Sequence, residues 1–111
     1  MTAGTTYVMN MWMAHGFGDT NMQFTLYGTT TCTDLPWSGN ACPIGVGSWR
    51  VLGQTTTSFA SLGDWYEVTV SFTPTEDIYA VALGSDCNNP DSPSYYYVDE
   101  LTLADSGSFV C

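Results

Sequence analysis

Residues 7–13, Tyr-Val-Met-Asn-Met-Trp-Met, alternate strictly: Tyr7, Met9, Met11 and Met13 fall on one face of an extended chain, Val8, Asn10 and Trp12 on the other. This period of two predicts a strand, and the glycine-rich stretch 15–19 is expected to end it. Residues 22–28 alternate again, with Met22, Phe24 and Leu26 on the expected core face and Gln23, Thr25 and Tyr27 opposite. Further strands are predicted over 49–54, over 65–72 with Tyr66, Val68, Val70 and Phe72 on one face, over 78–83 and over 95–103. In the last of these, unbroken alternation sends Tyr95, Tyr97, Asp99, Leu101 and Leu103 toward the core, and Tyr96, Val98 and Glu100 outward.

Between these runs lie turn-forming residues. Residues 29–48 and 85–93 are rich in Pro, Gly, Asn and Ser and read as loops, while 57–61 reads as a connection inside the domain. No stretch shows a sustained period of 3.6, no internal repeat is visible, and no linker divides the chain. About six strands joined by turns predict an all-β fold of two antiparallel sheets packed face to face, a single domain over residues 1–111.

Composition narrows the partners. The 111 residues are 44% hydrophobic and 14% aromatic, which argues against disorder, and no apolar run reaches the roughly 18 residues a membrane helix needs. Eleven acidic residues face one cation, Arg50, for a formal charge of −10. Nucleic acid and anionic membranes are disfavoured, because no basic patch can be built from one arginine. The acidity serves solubility first, with affinity for divalent cations as the sharper alternative.

Four cysteines, Cys32, Cys42, Cys87 and Cys111, form no CxxC pair, and the single histidine, His15, is remote from them in sequence. They predict two disulfides and an oxidising, extracellular or cell-surface location. Of the three possible pairings, Cys32 with Cys42 and Cys87 with Cys111 is preferred, since the first would close the turn-rich loop. No charged n-region and apolar h-region precede the domain, so any secretion signal is expected to have been removed or left out of this chain.

The ordered set "AGTTYVMNMWM", "WRVLG", "WYEVTVSFTP", "IYAVALG" and "YYYVDELTL" resembles the galactose-binding-like or carbohydrate-binding jelly-roll modules of bacterial secreted and cell-surface proteins. The resemblance covers nearly all of the chain but about two thirds of a usual module, whose first strands would precede Thr2. It implies a jelly-roll sandwich, glycan or cell-surface polymer as partner, and a rim calcium with Asp99 among its ligands. It also raises the expectation that a sheet edge is left to be covered, by self-association through strand exchange into a filament or surface layer.

Candidate contacts follow from the chemistry of sugars. Their C–H faces stack on flat aromatic rings while short polar side chains bond the hydroxyls, so Trp12 with Asn10, Tyr27 with Gln23, Trp65 with Glu67, the outward Tyr96 and the loop residue Trp37 are the candidates. Each strand tryptophan, Trp49 included, has ordinary sandwich packing as its plain alternative. Asp99 is the candidate metal ligand, with a hydrogen-bonded strand acid as its alternative; Asp86, Asn88 and Asp91 are oxygen donors in a stretch that reads as a turn. No Ser-His-Asp set or free-cysteine nucleophile is evident, and Glu67 and Glu100 are the only pair suggested for glycoside hydrolysis. A non-catalytic binding or adhesion module is therefore expected, with a structural filament subunit next and a glycosidase more distant.

Overall fold

The structure, a computed structural model, describes residues 1–18, 20–34, 42–85, 87 and 95–105. Among them are six strands: β1 (Tyr7–Phe17), β2 (Asn21–Thr29), β3 (Arg50–Ser58), β4 (Trp65–Phe72), β5 (Ala80–Ser85) and β6 (Tyr95–Asp105), with one short 3-10 turn, Cys32–Asp34. They form two antiparallel sheets, ordered β4-β1-β6 and β3-β2-β5. The chain is thus an all-β, two-sheet sandwich, compatible with a jelly roll.

The predicted alternation builds the core. Met9, Met11 and Met13 of β1 and Val68, Val70 and Phe72 of β4 point inward, against Met22, Phe24 and Leu26 of β2. Methionine fills irregular gaps between sheets with its flexible thioether, which suits a core carrying four of them. At one end Phe59 plugs the sandwich, its ring 5.5 Å from Tyr66, 5.3 Å from Tyr96 and 6.0 Å from His15. The Phe59 N–H donates to the Thr20 carbonyl at 2.8 Å, which ties the 57–61 connection to the β1–β2 corner.

Glycines set the closest approach of the sheets. A Cβ on Gly53 would lie 2.8 Å from Val70 Cγ1 and 3.3 Å from Phe72 Cβ, so β3 sits tightly on β4 only because that atom is missing. β1 also runs further than expected: instead of stopping at His15, it continues to Phe17 through an irregularity in the ladder between His15 and Phe17.

Three expectations need correction. Cys42 is bonded to Cys87, 45 residues away, and Cys32 is a free, exposed thiol. Neither preferred pairing forms, because β2 and β5 are neighbours and Ser48, hydrogen-bonded to Thr29 at the end of β2, brings its segment toward β5, where Cys42 bonds Cys87 just past the strand's end. The second correction concerns a residue beside this disulfide. Tyr27, expected on an outward face, is only 3% exposed; its hydroxyl donates to the Ser85 carbonyl at 2.6 Å and lies 3.2 Å from Cys87 Sγ. Thr25 and Thr29 are buried on the same side, Thr29 with its hydroxyl 2.7 Å from that of Ser48. Third, Tyr96 turns inward and Tyr95 and Tyr97 outward, the reverse of the expected facing. The cause is a bulge in β6.

Candidate functional site

The outward face of the β4-β1-β6 sheet collects the exposed aromatic rings. Residues opposite one another in an antiparallel ladder share a face, so the register arranges this surface in rows. Trp65, Ala14 and Tyr97 make one row; Glu67, Trp12 and Asp99 the next; Thr69, Asn10 and Thr102 the third. Ala14 is buried although it is on the outer side, where it lies between Trp65 and Tyr97. Tyr97 also lies against the backbone of Gly16, where a Cβ would meet Tyr97 Cε2 at 2.7 Å. Phe17 and Tyr95 extend the aromatic surface, with ring centroids 6.1 Å apart.

Trp12 is 37% exposed and Trp65 48%, enough to offer ring surface to a ligand while the rest packs on the sheet. The polar neighbours are short and partly fixed: Asn10 Nδ2 donates to Thr69 Oγ1 at 2.8 Å, and the Thr102 hydroxyl donates to the Asn10 carbonyl.

Two carboxylates come together here because of the bulge. Asn10 pairs with Thr102 but Trp12 pairs with Asp99, so three steps on β6 match two on β1. Glu100 adopts a positive φ of 53° at this point, and its N–H donates to Asp99 Oδ1 at 2.8 Å. An aspartate side chain that bonds the next backbone N–H supports a local left-handed turn. Asp99, Glu100, Trp12 and Trp65 thereby line one open cleft of about 260 Å³.

The predicted residues divide accordingly. Trp12, Asn10, Trp65 and Asp99 share one surface, together with Glu67 and Glu100. Asp99 stands on that exposed face, outside the core edge where it was expected. Tyr27 and Trp49 are buried, and Tyr96 is half-buried against Phe59 and His15. Trp37, Cys111, Asp86, Asn88 and Asp91 lie outside the described residues. Tyr97, Tyr95 and Phe17 also join the surface; for the two tyrosines the signal in the sequence is the three-residue spacing of Val98 and Leu101 across the Asp99-Glu100 pair, while Phe17 follows a separate irregularity in β1.

Calcium takes roughly six to eight oxygens, several of them carboxylate. The cleft supplies the carboxylates of Asp99 and Glu100, and among the described residues no three His, Cys, Asp or Glu gather into a metal-binding group. Among the described residues, Asp99 and Glu100 alone supply fewer oxygens than a calcium ion takes.

No protein-family model, curated protein or solved structure matches the chain. The class defined here is a disulfide-linked antiparallel β-sandwich with an aromatic, acid-edged outer sheet face. No helix among the described residues is long and apolar enough to cross a membrane.

Proposed function

We propose that the protein is a non-catalytic extracellular module that binds glycan on the outward face of the β4-β1-β6 sheet. The observation that supports it is the convergence of two half-exposed tryptophans, Trp12 and Trp65, with Asp99 and Glu100 around one cleft, beside the Asn10-Thr69-Thr102 row. The rings offer stacking surface to the C–H faces of a sugar, and the carboxylates and Asn10 offer acceptors and a donor to its hydroxyls. A face with acids and no lysine or arginine suits a neutral sugar and repels a sulfated or uronic one. The Cys42–Cys87 bond fits an oxidising compartment. Because Asp99 and Glu100 are the only carboxylates bordering the cleft among the described residues, binding is expected to persist in EDTA.

A glycan array followed by titration calorimetry tests this. Neutral oligosaccharides should bind, and Trp12→Ala and Trp65→Ala should each weaken binding about tenfold or more. No binding to any neutral glycan would defeat the proposal. Hydrolysis of the bound glycan, lost in Glu67→Gln or Glu100→Gln with binding retained, would make the same face an active site.

A further inference from the structure

Among the described residues, the sandwich is shut along one side and open along the other. On the β3/β4 side the sheets meet at Gly53, Val70 and Phe72. On the β5/β6 side, inward-pointing residues are exposed. Val98 lies opposite Met13 and Leu103 opposite Met9, so both face the other sheet, as does Leu101 two residues before Leu103. Yet Leu101 is 54% and Leu103 38% exposed, and Val98 is exposed as well. From the opposite sheet β5 contributes Leu83, paired with Leu26 and packed on the core, and Val81, which is exposed.

The two edges along this opening differ. β6 carries Asp99, Glu100 and a bulge, features that blunt an edge against pairing. β5 reads Ala-Val-Ala-Leu-Gly-Ser, without charge or proline, and among the described residues no strand pairs with it on the side away from β2. Just before β5, the Met1 ammonium donates to the Ile78 carbonyl at 2.7 Å and the Ile78 N–H to the Met1 carbonyl at 2.9 Å, while Tyr79 N–H turns to the Thr29 carbonyl on β2. A two-way exchange of this kind is antiparallel pairing, so the line of the β5 edge already accepts an antiparallel neighbour at its start.

We infer that the β5 edge and the opening beneath it take an extended segment of another, basic polypeptide, running antiparallel to β5 with apolar side chains at alternate positions. Its backbone would pair with β5, and its apolar side chains would cover Val98, Leu101 and Leu103, as in strand addition to an exposed sheet edge. Charge selects the occupant. The chain holds eleven acids against Arg50, which is paired with Glu76, so a second copy would bring ten further negative charges while a lysine- or arginine-flanked strand is attracted.

The test uses the full chain, hydrogen exchange of the Ala80–Ser85 amides, and a pool of nonapeptides with varied apolar residues at alternate positions and lysines at both ends. The β5 amides should exchange faster than those of β2 in the free protein. The lysine-flanked pool should slow them at least tenfold, a glutamate-flanked pool should not, and Leu101→Asp, at an exposed position, should remove the effect while the protein stays folded. Protection in the free monomer of the β5 amides that point away from β2, equal protection by both pools, or none by the lysine pool would overturn the inference. Protection that appears only with dimer formation in sedimentation would overturn it in favour of a second copy. Trp12→Ala, on the other face of the sheet, should leave peptide protection unchanged whether or not glycan binds.

Discussion

Trp12 faces outward because every second residue of β1 from Tyr7 to Met13 is committed to the core, and its ladder partners Glu67 and Asp99 give it polar neighbours on both sides. This much is legible from alternation alone. What alternation cannot show is what lies over an outward residue: Tyr27 obeys the same rule as Trp12, yet it is buried, with its hydroxyl against the Ser85 carbonyl and Cys87 Sγ. Replacement should separate the two roles. Trp12→Ala should cost glycan affinity about tenfold, ~1.4 kcal/mol, with little change in melting temperature, since the ring is partly in solvent. Met11→Ala removes a fully buried side chain and should cost about 2–5 kcal/mol in denaturant unfolding without altering the outer face. Gly53→Val should destabilise by about 1–3 kcal/mol, because its side chain would be driven into Val70.

At the scale of elements, six strands are readable as runs of period two, and their ends shift by a few residues. The facing of β6 is not readable, for one physical reason. The extra residue in the ladder reverses the in–out assignment of everything before it, so Tyr96 goes to the core and Tyr97 to the surface, while Leu101 and Leu103 after it keep the facing expected of them. Glu100 holds that extra residue in a left-handed conformation costing a side chain roughly 1 kcal/mol, so Glu100→Gly should raise the unfolding free energy by up to about that amount. The same variant should weaken glycan binding if the Glu100 carboxylate bonds a hydroxyl. Disulfide pairing was likewise beyond the sequence, because spacing ranks loops and says nothing of which strands become neighbours. Cys42→Ser with Cys87→Ser should cost about 2–5 kcal/mol, measured by urea denaturation against the parent chain, since the bond closes a span of 45 residues.

Over the whole molecule the excess of acid defines what can approach. A formal charge of −10 leaves stacking on a neutral sugar largely independent of salt, whereas capture of a basic strand at β5 should weaken as salt rises and screening shortens to about 8 Å near physiological strength. The two faces are therefore separable by ionic strength as well as by mutation. The most direct measurement is a nuclear magnetic resonance titration of the tryptophan indole N–H signals with a neutral oligosaccharide chosen from a glycan array. The signals of Trp12 and Trp65 should shift together and saturate, while that of the buried Trp49 stays in place. Binding that leaves Trp12 and Trp65 unshifted, or no binding by any neutral glycan, would contradict the assignment of this sheet face.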